Sequence, residues 1–334
     1  MSPVDAEEGP VQAAERIFVV IPMYRVEAHI REVIAGIPPW VEGIVAVDDA
    51  SPDASAEQAL AGGDPRVTLV RHSKNQGVGG AMITGYTRAV ELGATIMVKM
   101  DGDGQMSPEF LSDIVQPLVS GQADYAKGNR FVMSDALLNM PTVRRLGNLG
   151  LSFLTKLASG YWNIFDPTNG FTALSSRAFS RMKLDQIHSR YYFESSVLVE
   201  LNLLRAVVVD VNMPARYFGE ISSLSISKTL FEFPPLMLRS WAHRVWLEYF
   251  VTDFSLGSLY LVFGVLLTAW GVIFGGIKWI QSNQTGVVAT TGTVMLAAMP
   301  VILGFQLLLA SVAFDVQNIP RVPLSDRSHD RSGI

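Results

Sequence analysis

Short apolar runs alternate with polar or glycine-rich loops through the first third of the chain. Four of these runs are continuous enough for strands that are covered on both faces, as in a parallel sheet. They span residues 17–21, 43–47, 67–70 and 94–100. Stretches of helical periodicity separate them, at residues 28–37, 54–61 and about 75–92. The alternation predicts an α/β fold built on a mostly parallel sheet.

The same alternation continues, with weaker contrast, to about residue 211. Residues 124–127 and 206–211 predict two more strands, and the apolar stretch 195–204 predicts a helix. The acidic, proline-containing residues 1–15 have the composition of a disordered leader, and they lack the apolar core of a signal peptide. We therefore expect the N-terminal part of the protein to be cytosolic.

Residues 229–250 have a different pattern, in which Phe, Leu, Trp and Tyr are mixed with Arg and His. Aromatic residues are enriched at the level of lipid headgroups, so an amphipathic helix at the membrane interface explains this stretch better than a soluble core helix. The Pro234–Pro235 pair is expected to break it into two pieces.

Two long apolar segments follow. Residues 254–280 carry one charge, Lys278, and residues 287–314 carry none. Each exceeds the roughly 20 apolar residues that a helix needs to cross a bilayer. Arginines lie outside the pair and none lies in the short link, which by the positive-inside rule places both termini in the cytoplasm.

The predicted layout has five parts, and composition limits what they do. The parts are a leader (1–15), an α/β domain (16–228), interfacial helices (229–252), two transmembrane helices (253–316) and a loose cytoplasmic tail (317–334). The absence of cysteine excludes disulfides and thiolate metal sites. A net charge of −5 gives no support to nucleic-acid binding, and the five histidines show no ligand spacing.

Acidic side chains that could bind a ligand are most concentrated in Asp101–Gln105, directly after the apolar run 94–100. If the extended geometry continues past Met100, the carboxylates of Asp101 and Asp103 point the same way. Carboxylates with water and substrate phosphate are the ligands that Mg²⁺ or Mn²⁺ prefers, so a metal that holds a diphosphate is one interpretation. A simple turn is the other, because Asp and Gly are common turn residues.

Two further polar loops, 22–27 and 48–53, also follow predicted strands. Ligands of parallel sheets bind outside the carboxyl ends of the strands, so these loops and Asp101–Gln105 are expected to form one site. The glycine-rich segment 75–80 lacks the ending of a P-loop and the placement of a dinucleotide fingerprint. At a helix N-terminus it is still able to face an anion.

Taken together, the motifs VVIPMY (19–24), VDDASPD (47–53), NQGVGGA (75–81) and DGDGQ (101–105) resemble the family-two glycosyltransferases of GT-A fold. The resemblance covers residues 17 to about 230 and implies a Rossmann-like catalytic domain. The two C-terminal spans, with KGNRF (127–131) and DPTNGF (166–171), resemble the polyprenyl-phosphate glycosyltransferases, relatives of dolichyl-phosphate mannose synthase. Arg25 departs from the family, which usually has Asn there, and this puts the base selectivity in question.

The resemblance implies a role for each residue of the donor site. Pro22, Tyr24 and Glu27 would border the nucleotide, and Asp49 would hold the base or ribose. The metal and diphosphate ligands would be Asp101, Asp103 and Gln105, with Asp103 catalytic because the cation neutralises the leaving group. For Asp48 and Asp49, a cluster that caps the next helix is the alternative.

On the acceptor side, the resemblance makes Arg130, Arg216 and Lys228 the candidates for binding the lipid phosphate. Asp166 occupies the position often proposed as the catalytic base. A phosphate monoester has a second pKa of about 6 and arrives ionised, so Asp166 would then orient groups rather than take a proton. Glu194 is expected either to cap a helix or to bind a sugar hydroxyl. The cations Arg144, Arg145 and Lys156 are interpreted as a solvated or membrane-facing surface.

The expected function is the inverting transfer of a hexose from a nucleotide diphosphate sugar, UDP in preference to GDP, to a polyprenyl phosphate such as undecaprenyl phosphate. The place is the cytoplasmic face of the inner membrane, in cell-envelope glycan synthesis such as that of lipopolysaccharide, and related two-span enzymes suggest a homotetramer. The alternative enzyme extends a saccharide on a hydroxyl acceptor, although a processive synthase would show a Gln-x-x-Arg-Trp motif. A nucleotidyltransferase would need a Gly-rich basic first loop, and a non-enzymatic membrane scaffold would not need the acidic motifs.

Overall fold

One mixed sheet organises the larger of two structural units. The computed structural model describes residues 15–130, 142–166, 169–213 and 226–328. The first unit comprises residues 1–146, 164–223 and 322–334, and the second comprises residues 147–163 and 224–321.

Within the described residues, the sheet has seven strands in the order β3-β2-β1-β4-β6-β5-β7. The strands are β1 (Ile17–Met23), β2 (Gly43–Asp48), β3 (Val67–Arg71), β4 (Ile96–Lys99), β5 (Tyr125–Asn129), β6 (Thr172–Ser175) and β7 (Val208–Asn212). Strand β6 runs antiparallel to its neighbours β4 and β5, and all other pairs are parallel. The predicted α/β fold with a mostly parallel sheet is therefore confirmed.

The helices of the first unit lie between these strands in the chain. They are α1 (Ile30–Ala35), α2 (Ser55–Ala61), α3 (Val78–Glu91), α4 (Leu111–Val119), the start of α5 (Thr142–Ser159), α6 (Ser176–Phe179) and α7 (Phe193–Leu203). Every residue of β2 and β4 is buried, as the continuous apolar runs predicted for strands covered on both faces. The core between sheet and helices includes Val19, Ile21, Ile44 and Val98.

The acidic motif after β4 does not continue the strand. Strand β4 ends at Lys99, and residues 102–104 form a turn in which Gly104 has a φ of 79°. This corrects the expected extended geometry past Met100. Gly104 adopts the left-handed conformation that favours glycine, so the chain reverses here and the two aspartates belong to a turn, not to alternate positions of a strand.

The second unit contains the rest of α5 and three long helices. These are α8 (Ile226–Trp246), α9 (Leu256–Thr285) and α10 (Thr291–Gln317), with a π-helical turn at Leu247–Thr252 after α8. The expected break at Pro234 and Pro235 is wrong, because both lie inside continuous α8. Each proline removes one helical hydrogen bond, but Phe233 and Met237 are buried beside them and packing holds the helix together.

Helices α9 and α10 form a closely packed hairpin. Both are long and apolar enough to cross a membrane, and little of their surface is buried inside the protein. Small residues line their contact: a Cβ atom added to Gly271 would lie 2.6 Å from the carbonyl oxygen of Ala297, and one on Gly304 would lie 2.6 Å from the amide nitrogen of Thr268. Such close backbone approach is typical of helix pairs in membranes, where small residues permit van der Waals packing.

The segment that follows α10 returns to the first unit instead of forming a loose tail. Leu324 is buried there, and its amide donates to both carboxylate oxygens of Asp124 at 3.0 and 3.1 Å. The guanidinium of Arg327 donates to the carbonyl of Arg205 at 2.9 Å. Because the buried carboxylate of Asp124 needs hydrogen-bond donors, residues 322–328 have a defined place that their polarity did not predict.

Candidate active site

A cavity of about 530 Å³ opens at the carboxyl ends of β1, β2 and β4. Residues from the loops after these three strands line it: Arg25, Val26, Glu27, Ala28, His29, Pro52, Asp53 and Asp103. The predicted residues Glu27 and Asp103, separated by 76 positions in sequence, thus share one cavity. Parallel strands deliver their following loops to the same edge, and this is the reason that the three loops meet.

Hydrogen bonds fasten the loop after β1 to the loop after β2. They run from Arg25 N to Ser51 Oγ (2.7 Å), from Val26 N to Ser55 Oγ (2.9 Å) and from Ala54 N to Glu27 Oε2 (2.9 Å). Burial acts against ionisation of Asp53, but hydrogen bonds from Ser51 and Ser55 lower its pKa below the usual value. Asp53 is therefore an anion that holds these hydroxyls, and the rim of the cavity is fixed before any ligand arrives.

Arg25 has an unusual backbone at the mouth of this cavity. Its φ is 59°, in the left-handed region that non-glycine residues rarely adopt. Its guanidinium carbon lies 5.4 Å from the centroid of the Tyr24 ring, and the Tyr24 side chain is exposed. Non-glycine residues in this conformation are strained and persist where the surroundings hold them, which is common at ligand sites.

The turn after β4 holds its two aspartates differently. Asp103 Oδ1 accepts from the amide of Gln105 at 3.0 Å, and Asp103 lines the cavity. Asp101 Oδ1 instead accepts from Lys99 Nζ at 2.7 Å. Gln105 is exposed, and Pro22 lies within β1 at the start of the loop that carries Tyr24. Asp103 is therefore the acidic residue of this turn that faces the cavity.

The donor set of this turn suits a metal that is shared with a substrate. Among the described residues, no group of three or more His, Cys, Asp or Glu side chains is arranged to hold a metal by itself. Mg²⁺ commonly uses one or two carboxylates and takes its remaining ligands from water and substrate phosphates. Asp101 and Asp103 provide two carboxylates and Gln105 an amide oxygen, so the chemistry of these residues fits a divalent cation that binds with a diphosphate.

Asp49 is directed into the protein. It is 3% exposed, and its carboxylate accepts from the amides of Gln76 and Gly77 at 2.8 Å each and contacts His72 Nδ1 at 2.7 Å. Gly77 has a φ of 86° and precedes α3 directly. In this structure Asp49 shapes the glycine-rich segment 75–80, and its predicted contact with the base or ribose stays a prediction. Asp48, for its part, closes its own loop by accepting from the amide of Ser51.

Arg130 and Asp166, predicted for the acceptor side, form an ion pair with each other. The guanidinium donates to both oxygens of the Asp166 carboxylate, at 2.8 and 3.2 Å. Asp166 is fully buried, whereas the Arg130 side chain is 35% exposed. This arrangement favours the orienting role of Asp166 over proton abstraction, because the carboxylate holds the cation and the cation reaches solvent.

Two lysines, Lys99 and Lys127, are buried close to carboxylates of the candidate site. Burial outweighs the attraction of Glu194 and Asp166 and lowers the pKa of Lys127 to about 8, and Lys127 Nζ donates to the carbonyl of Asn169. Burial also acts against the charge of Lys99, but Asp101 and Glu194 raise its pKa above the usual value. Glu194, in the first turn of α7, forms an ion pair with Lys99. No side chain caps α7, so Glu194 does not act as the helix cap.

The sequence-based prediction passed over Lys99, Lys127 and His72. The usable signal for Lys99 was a lysine inside an otherwise apolar strand, since a buried charge requires a partner. Of the remaining predicted residues, Arg216 lies outside the described part of the chain, and Lys228 lies in α8 where the side chain is not described.

Acidic loops thus gather at the ends of β1, β2 and β4, along one edge of a mixed sheet. Residues 18–182 match the model of the family Glycosyl transferase family 2. The UDP-N-acetylglucosamine–dolichyl-phosphate N-acetylglucosaminyltransferase of Methanococcus voltae is 33% identical over 60% of this chain and 86% of that protein. The chain belongs to glycosyl transferase family 2.

One further relative and one solved structure resemble this chain. The undecaprenyl-phosphate mannosyltransferase of Micrococcus luteus is 29% identical over 61% of this chain and 86% of that protein. The glucosyl-3-phosphoglycerate synthase of Mycobacterium tuberculosis, solved with Mn²⁺, UDP and phosphoglyceric acid, aligns with a TM-score of 0.51. That alignment covers 69% of this chain and 78% of the other at 20% identity, so it concerns the fold.

Proposed function

We propose that this enzyme transfers a hexose, with inversion, from a nucleotide diphosphate sugar to a polyprenyl phosphate. The observation that carries the proposal is the similarity to two enzymes named for polyprenyl-phosphate acceptors, each matched over 86% of its length. The helices α9 and α10, which are apolar and long enough to span a bilayer, support an acceptor that resides in the membrane.

In the proposed reaction an oxygen of the acceptor phosphate attacks the anomeric carbon of the sugar. The bond from that carbon to the β-phosphate oxygen breaks, and its electron pair leaves with the nucleoside diphosphate. No proton has to be removed from an acceptor that arrives ionised, which agrees with Asp166 being buried and paired to Arg130. Asp166 would therefore position Arg130 for the acceptor phosphate.

A divalent cation, Mg²⁺ or Mn²⁺, would neutralise the charge that develops on the diphosphate when it leaves. Asp103, with Asp101 and Gln105, would hold that cation against the diphosphate. Glu27, Pro22 and Tyr24 would border the nucleotide, and a UDP-sugar is the proposed donor. The Mycobacterium tuberculosis synthase, which shares the fold, was solved with Mn²⁺ and UDP, and this supports the pairing of metal and nucleotide.

We also propose that α9 and α10 span the inner membrane, with the catalytic domain and both termini on the cytoplasmic side. The support is a short link of residues 286–290 without charge, while arginines such as Arg239 and Arg321 lie outside the pair. Residues 229–252 would lie at the interface, where an exposed aromatic side chain such as that of Trp246 suits the headgroup region.

The test is a transfer assay with the purified full-length protein in detergent or liposomes. Undecaprenyl phosphate, dolichyl phosphate and undecaprenol are offered with a panel of UDP- and GDP-sugars, with Mg²⁺, with Mn²⁺ and with EDTA. We expect one donor to give a lipid-linked sugar on a polyprenyl phosphate, abolished by EDTA and with inverted anomeric configuration by NMR. Transfer to undecaprenol alone would favour the hydroxyl-acceptor alternative, and no transfer from any donor would reject the proposal.

Arg25 gives a prediction about the donor. Its guanidinium stands at the mouth of a cavity that otherwise carries the carboxylates of Glu27, Asp53 and Asp103. A charge-assisted hydrogen bond to a phosphate contributes about 1.5–3 kcal/mol. We expect Arg25→Ala to raise the KM for the donor about 10- to 100-fold with a smaller change in kcat, measured by steady-state kinetics.

Calorimetry with UDP and with uridine shows which part of the donor Arg25 contacts. A loss of UDP affinity without a loss of uridine affinity assigns Arg25 to the diphosphate, and an equal loss for both assigns it to the nucleoside. Arg31→Ala is the matched control, because Arg31 is exposed on α1 and does not line the cavity. An unchanged KM and unchanged UDP binding in Arg25→Ala would contradict a donor contact.

A further inference from the structure

Lys99 stands out because it is a fully buried cation in the central strand β4. It is 1% exposed, and the residues that precede it in the strand are Ile96, Met97 and Val98. An isolated ammonium group is strongly disfavoured in such an environment and is retained only when other groups compensate it. The groups that pair with Lys99 are therefore expected to stabilise this part of the protein.

The ammonium group has three acceptors, which come from three different segments. It lies 2.7 Å from Asp101 Oδ1, 3.3 Å from the carbonyl oxygen of Gly170 and 3.4 Å from Glu194 Oε1. Asp101 belongs to the turn after β4, Gly170 precedes β6, and Glu194 is in the first turn of α7. One side chain thus connects the turn after β4, Gly170 and helix α7.

The contact at Gly170 leaves no room for a side chain. A Cβ atom on Gly170 would lie 2.4 Å from Lys99 Nζ and 2.9 Å from Asp101 Oδ2. The second oxygen of Asp101 is therefore close to the Gly170 backbone, while the first is bonded to Lys99. The position of the Asp101 carboxylate therefore depends on the lysine and on the absence of a side chain at Gly170.

We infer that Lys99 is a positioning residue that orients the Asp101 carboxylate in the donor site and holds Gly170 beside it. The inference rests on the proposed function. Because one oxygen of Asp101 is bonded to a cation, Asp101 presents less negative charge to a metal than a free carboxylate does. Asp103, which lines the cavity, then carries most of the attraction for the cation, and Asp101 contributes mainly geometry.

Lys99→Met is the first test, since methionine fills most of the space but carries no charge. A misplaced group in an active site lowers the rate by up to about 100-fold, and we expect kcat to fall about 10- to 100-fold with a smaller change in donor KM. Mn²⁺ binding, measured by electron paramagnetic resonance without substrate, should tighten about threefold or more because Asp101 is released from its cation. Lys183→Met, at an exposed lysine, should change neither quantity.

The double variant Lys99→Met/Glu194→Gln separates positioning from charge balance. Lys99→Met alone leaves Glu194 without its cation and should lower Tm, and removing that charge should restore much of the Tm. If Lys99 positions Asp101, kcat stays low in the double variant although the Tm recovers. If kcat recovers together with Tm, Lys99 only neutralises Glu194 and the inference is overturned.

The outcomes also distinguish this inference from the proposed function. An active wild type with an equally active Lys99→Met rejects the inference and leaves the proposed function intact. A wild type that transfers no sugar rejects the proposed function, and the Mn²⁺ and Tm measurements still test Lys99. Looser or unchanged Mn²⁺ binding in Lys99→Met would show that Asp101 is not released by the substitution, and it would overturn the inference as well.

Discussion

Asp103→Ala is expected to lower the rate of sugar transfer by about 10²- to 10³-fold without unfolding the protein. Asp103 is the carboxylate of the acidic turn that lines the cavity, together with Glu27, Asp53 and Arg25. In the proposed reaction the departing diphosphate gains negative charge, and a cation held by Asp103 opposes that charge. Loss of about 3–4 kcal/mol of transition-state stabilisation corresponds to the expected fall in rate.

Asp103 also has a local structural role that the experiment must separate from catalysis. Its Oδ1 accepts from the amide of Gln105 at 3.0 Å, and such a bond contributes about 0.5–1.5 kcal/mol to the turn. Asp103→Asn keeps an oxygen acceptor and removes only the charge, so we expect it to be nearly as inactive as Asp103→Ala but more stable.

Asp113→Ala is the matched control for Asp103, because Asp113 is an exposed carboxylate on α4 away from the cavity. The measurements are kcat/KM over a range of Mg²⁺ and Mn²⁺ concentrations, Mn²⁺ binding, and Tm. We expect Asp113→Ala to match the wild type in all of them. A transfer rate of Asp103→Ala within twofold of the wild-type rate would show that the turn after β4 does not hold the metal.

The largest effect on stability is expected at Asp315, near the end of α10. Arg244, at 1% exposure, donates to both oxygens of the Asp315 carboxylate at 2.8 and 2.9 Å. Tyr249 Oη and Trp162 Nε1 donate to the same carboxylate at 3.0 and 2.9 Å. Removing one partner of a buried ion pair leaves an uncompensated charge and costs about 3–5 kcal/mol. We therefore expect Asp315→Ala to lower Tm by about 10 °C.

The rest of the Arg244 environment explains why that charge cannot simply move to water. Its guanidinium also donates to Glu248 at 2.9 Å and to the carbonyls of Leu157 and Ala158 at the end of α5, at 3.0 and 3.1 Å. All of these groups belong to the second unit. The Arg244 side chain thus connects α5, α8, the π-helical turn and α10, so the loss of its partner Asp315 should destabilise the whole unit.

A double variant tests whether the ion pair itself adds stability or whether only the loss of one partner is destabilising. Arg244→Met/Asp315→Leu replaces both charges by apolar groups, and such replacements are often close to neutral. We expect its Tm, measured in detergent, to lie nearer to the wild type than that of either single variant. Asp253→Ala at an exposed position is the control. A Tm for Asp315→Ala within about 2 °C of the control would show that the ion pair contributes little.

Much of the fold followed from local features of the sequence. The apolar runs at β1, β2 and β4 and the loops after them predicted where polar groups gather, because in a parallel sheet the loops after neighbouring strands reach the same edge. The two apolar segments predicted α9 and α10 to within a few residues, since a helix that faces lipid must be apolar over its whole length. Glu27 and Asp103 were placed in one site by the same reasoning.

Tertiary structure alone decided which partner each charged group takes. Lys99 pairs with Glu194, Arg130 with Asp166 and Arg244 with Asp315, and the members of these pairs lie 36 to 95 positions apart in sequence. The hydrophobic periodicity of the sequence does not predict pairs between residues so far apart. The same holds for the uninterrupted α8 at Pro234 and for the ordered segment at Leu324, where packing and a buried carboxylate outweigh the local preference for a break or a loose tail. Sequence determined the strands, the acidic loops and the apolar helices, because hydrophobic pattern and turn chemistry act over a few residues. The orientation of each carboxylate was decided in three dimensions, because a buried charge is stable only beside groups that the folded chain brings to it.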